Sequence, residues 1–291
     1  MKTGYVLYNP ISGTGDHGSA IDALKAALEG EVKFIDVTGI SDYAEFFGKL
    51  DSDDYVVISG GDGTLNRFAN NISGMQISQK ILYFPAGSGN DFARDLDQTG
   101  TKVPFVINEY LKDLPTVTVN GKDYRFLNGV GYGIDGYCCE VGDEMRKIPN
   151  KKVDYTGIAI KGLLFHFKPV NGVITVDGVR REFKKIWLAP TMFGRFYGGG
   201  MNPAPKQRRD QDNVSVMVFF GSGKLKSLIM FPSLFKGEHV KYEKNIQVFS
   251  GKEITVEFEK PTALQIDGET ILGVTAYTAK APVAAKETAT V

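Results

Sequence analysis

Apolar and polar residues follow one rhythm up to about residue 95 and another from about residue 116. In the first stretch, short β-branched or aromatic runs alternate with segments whose apolar positions recur at helical spacing. Gly4 to Tyr8 predicts a strand, Ser19 to Leu28 a helix and Val32 to Val37 a second strand, which together make a βαβ unit. Tyr43 to Leu50 predicts a helix, Tyr55 to Ser59 a strand, Leu65 to Ile72 a helix and Lys80 to Phe84 a strand. Such alternation predicts a largely parallel sheet with helices on its faces.

The second stretch carries short strand-like runs: Thr116 to Val119, Asp123 to Asn128, Val173 to Val176, Phe183 to Ala189, Val214 to Phe220, Ile246 to Phe249, Ile254 to Phe258 and Ala263 to Ile266. Asn-Gly, Asp-Gly and Ser-Gly pairs separate several of them, as in β-hairpins. Two segments interrupt the pattern, a helical Asp154 to Phe167 and an apolar Lys224 to Phe235. The expected architecture is therefore α/β plus all-β, an N-terminal parallel α/β nucleotide-binding domain over 1–120 and a C-terminal β-sandwich-like domain over 121–274. Residues 275–291 read either as a frayed tail or as a last strand completing the first domain.

The 291 residues suffice for two domains with their own cores. Charge balances at 34 basic and 34 acidic side chains, so no global field draws the chain to nucleic acid or an anionic membrane. The adjacent Cys138 and Cys139 give neither a metal-ligand spacing nor a disulfide framework, which fits a reducing cytoplasm. No leader-like N-terminus and no apolar run of roughly 18 residues is evident, so a soluble or peripheral protein is expected.

Chemistry concentrates in glycine loops. Asp54 to Asn66 reads as a buried strand that breaks into Gly60-Gly61-Asp62-Gly63 and then starts the helix at Leu65, an arrangement that offers backbone N–H groups to phosphate. Asp62 is out of place there. A carboxylate repels an anion unless it orients backbone donors, holds Mg²⁺ or accepts a ribose hydroxyl. A second strand-loop-helix join, Phe84 to Arg94, carries Ser88 and Asn90 as candidate partners for phosphate or ribose oxygens, with Asp91 where a helix start favours an acid. Gly13-Thr14-Gly15-Asp16-His17-Gly18 fits the dinucleotide pattern G-x-G-x-x-G, but Asn9-Pro10-Ile11-Ser12 separates it from its strand. No Gly-Lys pair is followed by Ser or Thr, which argues against a Walker-type ATPase.

In order and spacing, Asn9-Pro10 with Ser12-Gly13, SGGDGTLN at 59–66, GSGNDFAR at 87–94, NGVGYGID at 128–135, Gly198 to Met201 with Pro203, and Asp267-Gly268-Glu269 resemble the diacylglycerol kinase catalytic domain, the bacterial lipid kinases above all. The NAD kinases share the Gly-Gly-Asp-Gly-Thr turn, yet Gly-Asn-Asp-Phe-Ala-Arg favours the lipid kinases. The resemblance implies ATP- and Mg²⁺-dependent phosphorylation of a lipid hydroxyl, with ATP between the two domains and the acceptor and catalytic-base elements in the second. It also implies Glu269 as the catalytic base, Asp62 as organiser of the phosphate turn or a metal, Gly60, Gly61, Gly63 and Thr64 against the phosphates, and Asn9, Ser12, Ser88 and Asn90 completing the nucleotide pocket.

Two positions depart from the family pattern. Arg67 stands where glutamate is usual, which reverses charge beside the site and leaves open a headgroup contact, a solvent-facing side chain or a catalytically weak nucleotide-binding protein. Ser215 stands where a further acid is expected, so Asp210 and Asp212 are the remaining candidate ligands for a structural Mg²⁺. Arg146 to Phe167 and Lys224 to Lys244 combine lysines with apolar residues and are candidates for peripheral contact with a membrane. Homo-oligomers through the sheet edges stay open.

Overall fold

The protein is described by a computed structural model covering residues 2–10, 17–148 and 153–282. Its contacts divide it into two compact units, Met1–Asp113 and Leu114–Val291.

The first unit runs β1 (Thr3–Tyr8), α1 (His17–Ala27), β2 (Glu31–Asp36), α2 (Tyr43–Gly48), β3 (Tyr55–Gly60), α3 (Asp62–Asn71), β4 (Lys80–Pro85), α4 (Asp91–Asp95), β5 (Phe105–Val106) and α5 (Asn108–Lys112). Its sheet has the order β2-β1-β3-β4-β5, parallel throughout except for β5. The central strand β3 is buried at every residue, the signature of a parallel strand covered on both faces. On one face Val6, Tyr55, Val57 and Phe84 close over Leu24 of α1. Elsewhere Phe68 of α3 meets Tyr43 and Phe47 of α2 edge-on or tilted. Each fully buried side chain of this size stabilises the fold by about 1.5–3 kcal/mol relative to exposure.

The second unit continues with β6 (Thr116–Val119), β7 (Lys122–Arg125), β8 (Gly129–Tyr132), α6 (Ile134–Arg146), α7 (Tyr155–Lys161) with a π turn at Gly162–His166, β9 (Val170–Val176), β10 (Val179–Leu188), β11 (Thr191–Met192), β12 (Val214–Phe220), α8 (Lys224–Met230), β13 (Ile246–Gly251), β14 (Glu253–Ile266) and β15 (Glu269–Lys280). Strand β14 makes the architecture. Its first half, Ile254 to Phe258, pairs with β9, while Leu264 to Ile266 pairs with β8. Between them the register against β15 shifts twice, around Pro261, which lacks an N–H for the ladder. The shifts let one strand serve two neighbours, so the path β14-β8-β11-β12-β10-β9 returns to β14 and closes. The hairpin turns at Asn120-Gly121, Asp177-Gly178 and Asp267-Gly268 all place both central residues at positive φ, as type I′ turns require.

The predicted boundary near residue 120 moves to 113/114, because Thr116 to Val119 pairs with β15 in the second sheet. By the same pairing, 275–280 stay in the second unit rather than completing the first; residues 283–291 lie outside the described residues. Two elements differ more deeply from the sequence reading. Gly129 to Tyr132, absent from the strand-like runs of the sequence, is a wholly buried strand, and Ile134 to Arg146 is a helix that the pattern does not reveal.

Candidate functional site

In the first unit the candidate residues gather at the carboxyl ends of the parallel strands. β1 lies between β2 and β3, so the connections leave in opposite directions there, and the crevice at such a switch point is where open α/β sheets bind ligands. A small pocket of about 20 Å³ opens at that point between Tyr8, Asn9, Ser59, Gly60, Ala86 and the first turns of α1.

Two glycine loops form its border. Gly60 pairs with Pro85 as β3 and β4 end, Ala86 N–H donates to the Gly60 carbonyl at 2.9 Å, and the Tyr83 hydroxyl donates to the same carbonyl at 3.0 Å. A Cβ on Gly87 would lie 2.3 Å from the Gly61 Cα, so the loops touch backbone to backbone. Thr64 is buried beneath Gly60, where any Cβ would strike it at 2.7 Å.

Asp62 joins the two loops. Its Oδ2 accepts the Asp91 N–H at 3.0 Å and its Oδ1 the Phe92 N–H at 2.8 Å, so it caps α4 from outside that helix. Of the roles open to a carboxylate in a phosphate turn, this is the orientation of backbone donors. Asp91 is the first-turn acid of α4, where a helix start favours one, and is buried with Arg94 at 3.8 Å. Helix α3 begins at Asp62, earlier than Leu65, with Gly61 as N-cap and no side-chain cap hydrogen bond. Its N-terminus therefore presents backbone donors and the positive end of its dipole.

Asn90 is left-handed, φ 50°, and its amide closes on the Gly87 peptide, accepting from the N–H at 3.0 Å and donating to the carbonyl at 2.7 Å. It shapes the loop. Ser88 is exposed, Asn9 is half-buried in the pocket wall and Arg67 is exposed on α3. Ser12, with the rest of the Gly13 loop up to Asp16, lies outside the described residues.

In the second unit the Asp-Gly-Glu turn ends β14. Asp267 is buried, and its carboxylate accepts the N–H groups of Leu127, Asn128 and Gly129, the last two at 2.9 and 3.0 Å. Arg209 holds the same loop, donating to the Leu127 carbonyl at 2.5 Å and to Asn128 Oδ1 at 2.8 Å. The sequence assigns neither residue a role. Asp-Gly signals a turn, but a partner some 140 positions upstream leaves no local trace. Glu269 opens β15 opposite Ile266 and is half-buried; its charge is among the influences that raise the Cys139 thiol, after burial, to about 12.

Asp135, in the first turn of α6, is buried against Gly131, where a Cβ would overlap its Oδ2. Burial raises its carboxyl to about 6, although the Gly136 N–H at 2.9 Å and the nearby Tyr197 hydroxyl and Gln265 amide favour the charged form. Among the described residues, Oδ2 closes no hydrogen bond, and neither does the Tyr197 hydroxyl.

The expected metal loop is otherwise engaged. Asp210 is gripped by Arg208 at 2.5 and 2.9 Å, and Ser215 donates to Gln207 at 2.5 Å and meets Ser250 at 2.7 Å. Asp212 is exposed. Among the described residues, no group of three or more His, Cys, Asp or Glu side chains could hold a metal ion, and no helix is long and apolar enough to cross a membrane.

Comparison with known proteins matches residues 3–118 to the diacylglycerol kinase catalytic domain and residues 128–286 to the YegS C-terminal NAD kinase beta sandwich-like domain. A diacylglycerol kinase of Mycobacterium tuberculosis is 27% identical over 271 residues, 88% of this chain and 84% of that protein. A diacylglycerol kinase of Bacillus subtilis is 23% identical over 282 residues, 92% of this chain and 90% of that protein. In fold, the chain is similar to a crystal structure titled as a diacylglycerol kinase from Bacillus anthracis, with TM-score 0.60 at 19% identity, over 96% of this chain and 94% of that one.

Proposed function

The chain belongs to the diacylglycerol kinase catalytic-domain family, and from that membership we propose that it transfers the γ-phosphate of ATP to the hydroxyl of a lipid, diacylglycerol or a close relative. The observation that carries this reading is the Asp62 brace. By accepting the Asp91 and Phe92 N–H groups, Asp62, itself in the first turn of α3, turns its carboxylate to hold the second glycine loop beside the glycine-capped start of α3, where an anion would be received.

ATP fits this chain's donor set. Gly60, Gly61 and Gly63 would let phosphate oxygens approach the backbone, with Thr64 supporting the turn from below. Asn9, Ser12 and Ser88 would contact the nucleotide, while Asn90 keeps the second loop in shape. The bound nucleotide with Mg²⁺ supplies the phosphoryl group and neutralises its charge. Asp210 and Asp212 remain the candidates for a structural Mg²⁺, for which Asp210 would exchange its exposed pairing with Arg208 for the ion; Ser215, tied to Gln207 and Ser250, would contribute no carboxylate.

Glu269 is the proposed general base for the acceptor hydroxyl. Asp267, fixed by three backbone donors, would position it, because the two share one tight turn. The family relationship and the absence of a membrane-crossing helix among the described residues are consistent with a protein that meets its lipid peripherally.

The test is transfer from labelled ATP with Mg²⁺ into a total lipid extract in mixed micelles, resolved by chromatography. A labelled lipid is expected and would begin to name the acceptor. ATP binding without any labelled lipid would instead favour the catalytically weak nucleotide-binding reading that Arg67 raises, and label in NAD would favour an NAD kinase.

A further inference from the structure

Three of the most exposed large apolar side chains lie on two touching elements of the second unit. Leu225 and Ile229, 71% and 67% exposed, are four residues apart and so share one face of α8. Phe165, 71% exposed, sits in the π turn at Gly162–His166, which packs on α8. A hydrogen bond of 2.7 Å from Lys224 Nζ to the Leu164 carbonyl ties the two elements together. The opposite side of α8 is rooted in the core through Ser227 and Met230.

Isolated exposed leucines are ordinary, but three large apolar groups at one tip are not scattered. The charges within these two segments have one sign. Lys161, Lys168, Lys224, Lys226 and Lys236 are all exposed, and neither 155–168 nor 221–237 contains an Asp or Glu. The acids that immediately flank the segments are Asp154, which accepts the Gly157 N–H at 3.0 Å, and Glu238, paired with Lys241 at 3.1 Å. In a chain with 34 basic and 34 acidic residues, this asymmetry is local rather than a reflection of net charge.

We propose that this tip docks on an anionic lipid bilayer. Phe165, Leu225 and Ile229 enter the boundary between headgroups and acyl chains, and the lysines lie against lipid phosphates. Apolar groups flanked by lysines on both elements match that surface in hydrophobicity and charge. A second copy of this chain would bring a second set of lysines against the first. The proposal rests on the lipid-kinase reading for its purpose but not for its test.

The experiment is flotation with vesicles of phosphatidylcholine, alone or mixed in equal parts with phosphatidylglycerol, using the full chain. Binding to the mixed vesicles, weakened by salt, is expected. Leu225→Gln with Ile229→Gln, and separately Phe165→Ser, should each lower partitioning by about tenfold while thermal melting stays unchanged. Lys161→Glu with Lys168→Glu should remove the preference for phosphatidylglycerol. Wild-type protein that ignores anionic vesicles, or variants that float equally well, would overturn the proposal. So would sedimentation showing that the apolar substitutions dissolve a dimer and leave vesicle binding intact. Vesicle binding by a protein that labels no micellar lipid would sink the kinase reading and leave the docking surface standing.

Discussion

The carboxylate of Asp62 receives the backbone N–H of Phe92 at 2.8 Å, across 30 positions of sequence, and so fastens the start of α4 to the glycine turn after β3. This makes the residue a brace first. Asp62→Ala should strip two donors of their partner and lower the unfolding free energy by about 2 kcal/mol, with transfer to lipid falling steeply. Asp62→Asn keeps one acceptor and should lie between. Urea unfolding followed beside label transfer checks both, and wild-type turnover in a folded Asp62→Ala protein would remove the brace from the mechanism.

Gly87→Ala tests the contact between the loops. The added methyl would meet the Gly61 Cα at 2.3 Å, which is backbone and cannot rotate away. We expect ATP titration to show clearly weaker binding and transfer to drop by about 100-fold, the scale of an ångström's misplacement at a reacting centre. Gly39→Ala, where nothing lies within 4 Å, is the matched control and should behave as wild type.

Glu269→Gln separates chemistry from binding. Loss of a general base should lower turnover by about 10²–10⁴-fold and leave ATP affinity unchanged. A near-normal rate would mean that another group takes the proton.

Asp135 predicts a pH dependence of stability. Burial raises its folded carboxyl from 3.8 to about 6, so the native state holds this proton at a pH where the unfolded chain has released it. Its contribution is full below the unfolded value and is lost as pH rises through about 6, an effect of about 3 kcal/mol. Asp135→Asn should flatten that part of the curve. Melting temperatures of both proteins across the range check the sign, and parallel curves would refute the assignment.

The parallel half of the fold was legible because β3 and its neighbours are short β-branched runs bounded by glycine, and amphipathic segments such as α1 separate them. Strand β8 was not, since Gly129 and Gly131 look like a loop in sequence. They are glycines because Met192 Sδ and the Asp135 carboxylate occupy the space that side chains would need. Helix α6 hid behind Gly136, Gly142 and the paired cysteines. The closed path of the second sheet depends on the bend of β14, which only its two partners reveal. At the candidate site, the residue types and loops could be read directly. The direction of Asp62, the inward turn of Asn90 and the grip of Arg209 could not, because each is decided by the surrounding fold.

The meeting of Gly61 and Gly87 also limits how a ligand could enter. With their backbones in contact, the two loops leave no slot between Gly61 and Gly87. They act as one tile, and a nucleotide would be laid on its upper face rather than threaded through it. Because Gly61 and Gly87 meet backbone to backbone, a mutation that tips either loop would be passed directly to the other.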